Sequence, residues 1–172
     1  KAEQVKRVGD DAQAFDFYCF IASNGSDARP TMSLDDRQLA FVSTRTGTPQ
    51  VWLKPKDGPE VQLTQFTNII FVRDIHFSAD GTQIVGRTNR GPFIYNIKTR
   101  KIHDIYIQGE HQVFGVAWGP DKHTILVSLD ISGQSSLRLV DIASGQVSEA
   151  LVEGSEYGLF SSTGQLYFTK NL

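Results

Sequence analysis

The sequence predicts an all-β fold of the β-propeller type, built from four-stranded antiparallel blades, and three observations carry that prediction. A short turn phrase recurs four times: Ser33-Leu34-Asp35-Asp36, Ser78-Ala79-Asp80-Gly81, Gly119-Pro120-Asp121-Lys122 and Ser161-Ser162-Thr163-Gly164. The copies begin at residues 33, 78, 119 and 161, a period of about 40–45 residues, which is that of one four-stranded blade. Between the copies run short β-rich segments with turn signals every ~8–12 residues, and no window of ~11 residues keeps a helical period.

The first full unit sets the pattern. Gln38 to Ser43 is short and mostly apolar, Thr44 to Thr48 turns at Gly47, and Gln50 to Lys54 is the next strand. Lys56-Asp57-Gly58-Pro59 is a turn, because Asp and Gly tolerate positive φ and Pro fixes its own. Glu60 to Thr64 alternates and reads as an outer, half-exposed strand. In the second unit Val72 to Phe77 leads into the turn phrase, Gln83 to Gly86 follows, and Pro92 to Ile97 and Ile102 to Ile107 complete it. In the third, the corresponding segments are Val113–Trp118, Thr124–Leu129, Ser136–Ile142 and Val147–Leu151. The fourth supplies only Tyr157–Phe160 and Gln165–Lys170. The predicted blades are therefore about 28–66, 72–108 and 113–152, with 157–172 plus 5–21 as two complementary halves of one propeller domain over 1–172.

The recurring phrase has a physical task between the first and second strand of each unit. Ser and Asp side chains hydrogen-bond nearby backbone N–H groups, and Gly accepts positive φ. Ser33, Asp35, Ser78, Asp80, Gly81, Asp121 and Gly164 are the predicted turn anchors. Asp80 and Asp121 occupy equivalent turn positions, so one structural role accounts for both.

Composition narrows the function classes. The chain has 172 residues, 40% hydrophobic, enough for one domain with a sizeable core. The longest apolar runs fall far short of the ~20 residues a spanning helix needs. No charged segment followed by an apolar one opens the sequence, so no signal peptide is expected in it. Net charge is −2, from 17 basic and 19 acidic residues that are scattered rather than clustered. Arg87, Arg90, Arg100 and Lys101 form the nearest approach to a basic face and read as solvated loop charges, so nucleic-acid binding is not expected. The one cysteine, Cys19, lies between Tyr18 and Phe20 and reads as a small buried hydrophobe. Low cysteine usage fits a cytosol or a bacterial periplasm.

At Pro30-Thr31-Met32-Ser33-Leu34-Asp35-Asp36-Arg37-Gln38-Leu39-Ala40-Phe41-Val42-Ser43, continued by Gln50-Val51-Trp52-Leu53, the chain resembles the TolB-like (WD40-like) β-propeller repeat family. The second copy matches well, the third and fourth loosely, and the Gly-His and Trp-Asp dipeptides of WD repeats proper are absent. The resemblance covers about residues 28–172 and implies fold more than function. Such repeats occur in bacterial periplasmic proteins, in prolyl-oligopeptidase-like peptidases and behind membrane-anchored winged-helix transcriptional regulators. The implied localisation is periplasmic, with the cytoplasm left open.

The phase of the repeat suggests how a ring could close. An outer-strand slot counted back from Ser33 falls on Phe15 to Ile21, and a third-strand slot near Val5 to Val8. Lys1 to Ala14 is the one place for a short helix, and Gly9 argues against a long one. One chain could join its own ends, two chains could exchange half-blades to give an eight-bladed homodimer, or the chain could be part of a longer propeller. Unpaired strand edges make some pairing necessary.

The sequence holds no Gly-x-Ser-x-Gly elbow, no His-Glu-x-x-His and no phosphate loop. His76, His103, His111 and His123 fall in a first strand, an outer strand, an inter-blade loop and a turn, so no metal site is expected. Phe41, Trp52, Phe77, Phe93, Tyr95, Trp118, Tyr167 and Phe168 fall on strands and read mostly as core. The candidate binding residues are Arg45, Arg87, Asn89, Arg90 and Asp130, placed just after a second strand in loops that share one face. The sequence therefore predicts a non-catalytic binding or interaction module with no enzymatic activity, no cofactor and a protein or peptide partner. It would be the sensory or scaffold domain of a larger bacterial protein. The alternative is the gating propeller of a prolyl-oligopeptidase-like serine peptidase.

Overall fold

The computed structural model describes residues 21, 23–109 and 111–170. Fourteen strands are described, and the first twelve form three four-stranded antiparallel sheets in strict chain order. The first sheet is β1 (Asp27–Met32), β2 (Gln38–Ser43), β3 (Gln50–Pro55) and β4 (Val61–Gln62). The second is β5 (Val72–Phe77), β6 (Gln83–Thr88), β7 (Gly91–Asn96) and β8 (Lys101–Asp104). The third is β9 (Gln112–Trp118), β10 (Thr124–Ile131), β11 (Gln134–Asp141) and β12 (Val152–Glu153). A two-stranded sheet, β13 (Gly158–Phe160) with β14 (Leu166–Phe168), follows.

The second strand of each sheet is apolar on both faces, and the reason lies in the strand period of two. Ile84 of β6 packs into the core shared by the first and second sheets, with Val42, Val51, Ile75 and Phe93. Its neighbour Val85 packs into the core shared with the third sheet, with Ile94, Ile125 and Val127. Leu126 then faces a third core with Ala117 and Leu137, against which Phe160 and Leu166 pack. Successive residues thus serve successive cores, so a near-continuous apolar run replaces simple alternation. Each fully buried Val, Leu, Ile or Phe contributes about 1.5–3 kcal/mol before entropy is counted.

Inner strands β1, β5, β9 and β13 are successive neighbours. Three of them carry an irregularity of one extra residue at the same level: between Ala28 and Thr31, between Arg73 and His76, and opposite Ser128/Leu129. In the first two, a non-glycine residue takes positive φ, Arg29 at 57° and Asp74 at 51°. A bulge of this kind bends the strand and re-aims a side chain.

Some expectations shift in detail. The outer strands are shorter than the sequence suggests, with only Val61–Gln62 and Val152–Glu153 paired in the first and third sheets. Val147 makes only an isolated bridge to Val140. These segments carry alternation but leave their edge early. Tyr167 and Phe168, expected in core, are 58% and 47% exposed, because among the described residues no further sheet packs on the β13–β14 pair. The N-terminal half-blade at 5–21, the helix position at 1–14 and Cys19 lie outside the described residues, apart from Ile21, which is in no strand.

Candidate functional site

The turn phrase closes one end of the sheets. Ser33 Oγ donates to Asp35 Oδ1 at 2.6 Å, and the same Asp oxygen accepts from Arg37 N at 3.1 Å. Ser78 Oγ donates to Asp80 Oδ1 at 2.6 Å, which also accepts from Thr82 N at 3.0 Å and Thr82 Oγ1 at 2.8 Å. Asp121 Oδ1 accepts from His123 N at 2.8 Å and Thr124 Oγ1 at 3.0 Å. In the fourth copy Ser161 Oγ and Thr163 Oγ1 lie 2.8 Å apart. Gly81 and Gly164 take φ of 69° and 79°, which only a residue without Cβ adopts freely. The serine and backbone donors hold Asp35 and Asp80 below the ordinary carboxylate range, and backbone and threonine donors do the same for Asp121.

Among the described residues, three cavities adjoin the inner strands. At the turn-phrase end, one of about 340 Å³ gathers Met32, Phe77, Trp118 and Phe160, residues from all four repeat units at equivalent positions. Trp118 Nε1 donates to the His76 carbonyl at 3.0 Å, tying β9 to β5 at its wall. A second, of about 390 Å³, lies between the third sheet and β13–β14, with Asp74, His76, Ser128, Glu156 and Tyr157 in a mostly apolar lining. Burial pushes the His76 imidazole below its ordinary pKa, against the pull of nearby Asp74.

The third cavity is a groove of about 650 Å³ at the opposite end, where the hairpins between second and third strands emerge. Its lining includes Arg73, Arg87, Asn89, Arg90, Tyr106 and His111. The Phe71 ring carries two guanidinium groups, Arg73 at 4.9 Å and Arg87 at 5.2 Å from the centroid. Arg87 is 8% exposed and pairs with Asp74 at 2.5 Å. Asn89 Oδ1 accepts from Ile70 N at 2.9 Å, and Arg90 donates to the Thr67 carbonyl at 2.7 Å, so both hold the loop before β5.

Three of the five predicted residues, Arg87, Asn89 and Arg90, thus line one groove, and two do not. Arg45 is taken up within the first sheet: it pairs with Glu60 and, at 3.1 Å, with Asp27, and lies over the Trp52 ring at 4.6 Å. Asp130 Oδ1 accepts from Gly133 N at 2.7 Å and shapes its own hairpin. Arg87 and Asp130 are on strands β6 and β10 rather than beyond them, because pairing continues to Thr88↔Gly91 and Ile131↔Gln134. Sequence reasoning missed Arg73, Tyr106 and His111. The position of Arg73 on an inner strand, directly opposite Arg87, is the one signal that could have joined it to the predicted set.

No protein-family profile and no curated protein matches the chain. Its fold is similar to TolB from Acinetobacter baumannii, at 19% identity and a TM-score of 0.72, over 91% of this chain and 40% of that one. It is also similar to an oligogalacturonate lyase from Vibrio parahaemolyticus, at 14% identity and a TM-score of 0.68, over 93% of this chain and 51% of that one. Puromycin hydrolase matches at 16% identity and a TM-score of 0.56, over 80% of this chain and 24% of that one. The chain spans about half or less of the length of these proteins. At such identities the likeness is one of fold alone: an all-β chain of four-stranded antiparallel sheets similar to those of propellers, TolB among them. It also corrects one expectation. The absence of catalytic motifs led to the prediction of no enzymatic activity, yet the same fold is shared with a lyase and a hydrolase. The architecture therefore does not carry that exclusion.

Proposed function

We propose that the chain is a binding scaffold whose ligand face is the hairpin end of the sheets, with the groove between the second and third sheets as the seat for a protein or peptide partner. The observation that supports this most is the convergence of Arg73, Arg87, Asn89, Arg90 and His111, from strands and loops of two sheets, on one cavity of about 650 Å³. Loops and strand ends on a rigid frame are where propeller-type scaffolds place recognition. Arg45 of the first hairpin is held by two carboxylates, Asp27 and Glu60, whereas Arg90 of the middle hairpin bonds only to the Thr67 carbonyl and has no carboxylate partner among the described residues. The resemblance to TolB-like repeats supports a periplasmic setting, and the share of longer relatives that is matched supports a role as one portion of a larger protein.

Site-specific photocrosslinking tests the seat. A photoreactive residue at Tyr106, which is 74% exposed on the groove rim, is expected to capture a partner from a periplasmic extract. The same residue at Leu34, 72% exposed at the opposite end, is expected not to. Capture from Leu34 alone, or from neither position, overturns the reading.

A second reading is favoured by one finding, the similarity to about a quarter of puromycin hydrolase. In it, this unit is the substrate-facing propeller of a serine hydrolase. A nucleophile elbow in chain adjoining this segment would support it, and a winged-helix domain there would exclude it.

A further inference from the structure

We infer that the groove takes an acidic peptide segment, its carboxylates against Arg73 and Arg90 and its apolar side chains against Tyr106 and Ile70. This rests on the reading of the groove as the partner seat and adds the chemistry of what fits there.

Charge balance supplies the first argument. Of the three arginines in the lining, Arg87 is neutralised by Asp74. Among the described residues, neither Arg73 nor Arg90 has a carboxylate partner, and the described lining of the groove contains no carboxylate. Arg90 spends one donor on the Thr67 carbonyl and keeps the rest of its fork. Arg73 is exposed, and its guanidinium lies over the Phe71 ring, a contact that uses none of its hydrogen-bond donors. Beside these arginines His111 lines the groove, its Nδ1 buried and without a partner among the described residues. The loop bends back over that ring at Gly109, where a Cβ would come within 2.6 Å of His111 Nε2.

The surroundings select among anions. Tyr106 is 74% exposed on the groove, and Ile70, 79% exposed, is carried by the same loop as Phe71. Two unneutralised cations flanked by apolar side chains suit a carboxylate next to an aromatic or aliphatic residue. A nucleic acid needs a run of cations, one for each phosphate contact. A chain of net charge −2 with two such cations at the groove does not supply that run.

Selection of a random-peptide phage library on the intact chain tests the class. Enriched peptides are expected to pair Asp or Glu with apolar neighbours and to crosslink at Tyr106. Replacing their acids with the matching amides should weaken binding by about tenfold or more, since charge-assisted pairs are about twice as strong as neutral ones. Arg73→Gln, at an exposed position, should remove most of that preference and Arg73→Lys should restore part of it. Arg90→Gln should act in the same direction. Amide peptides binding within about twofold of the acidic ones, or single-stranded DNA competing as well as the peptides, overturn the acidic-peptide class. Peptides that crosslink at Tyr106 without carboxylates overturn the class and leave the seat standing, and peptides that crosslink only at Leu34 overturn both.

Discussion

Arg87 Nε lies 2.5 Å from Asp74 Oδ2, joining the bulged inner strand of the second sheet to the strand beside it. Asp74 sits at the extra residue, with φ of 51°, so the bulge that interrupts the ladder also aims the carboxylate at the guanidinium. The guanidinium in turn lies over Phe71 and reaches the Val113 carbonyl at 3.4 Å. One ion pair therefore fixes the floor of the groove to both neighbouring inner strands.

Asp74→Asn isolates the charge in that arrangement, because Asn tolerates positive φ nearly as well as Asp. Removing one partner of a largely buried pair leaves an uncompensated cation. The expected loss, for a pair still partly exposed, is about 2 kcal/mol, seen as a fall in Tm of about 4–8 °C in a chain of this size. Differential scanning calorimetry checks it, and an unchanged Tm would show the pair to be idle.

Acid stability should track the turn phrases. Asp80 is held below the ordinary carboxylate range, first by Ser78 and then by the Thr82 donors. A carboxylate with a folded pKa below its unfolded one stabilises the fold above the unfolded value. That stability is lost as pH falls through the folded value. Asp35, and Asp141 bonded to Ser144, act in the same sense. His76 adds to the trend from higher pH. Its folded pKa lies below the ordinary 6.5, so the neutral form is favoured and stability declines once pH drops under that value. Urea unfolding measured across pH ~3–7 should show Ser78→Ala flattening the acid limb relative to wild type. Parallel limbs would exclude the turn as its source.

Gly86 tests the packing between the first and second sheets. A Cβ there would meet Phe93 Cζ at 2.8 Å and Ile75 Cγ2 at 3.0 Å. Phe93 is itself fixed edge-on against Phe66, with centroids 5.1 Å apart. Gly86→Ala should cost about 1–3 kcal/mol by overpacking. Adding Phe93→Leu should recover part of it, so that the double variant is more stable than the sum of the two single losses. Strict additivity would place the strain elsewhere.

The turn phrase was legible because its chemistry is local: Ser78, Asp80 and Thr82 bond within a few residues, and sequence neighbours are spatial neighbours. The two apolar faces of β6 were legible too, as a run around Ile84 and Val85 that serves two cores. The bulges were not. An extra residue at Arg29 or Asp74 leaves no compositional mark, because neither position carries the glycine that positive φ usually selects. The groove was half legible for the same reason. Arg87, Asn89 and Arg90 adjoin in sequence, whereas Arg73 enters across the bulged pairing and His111 from the next inter-sheet loop. Arg45 misled because its loop position matches that of Arg90. Its carboxylate partners Asp27 and Glu60 stand 18 and 15 residues away.

If the hairpin-end groove is the binding seat, a charge reversal there and one at the far end of the sheets must act differently. The partner captured at Tyr106 would be titrated against wild type, against Arg90→Glu in the groove and against Lys122→Glu in the turn phrase at the far end. Arg90→Glu is expected to weaken binding by at least about tenfold, while Lys122→Glu changes it by less than about twofold. Equal losses at both ends, or a loss confined to Lys122→Glu, would contradict the groove as the seat.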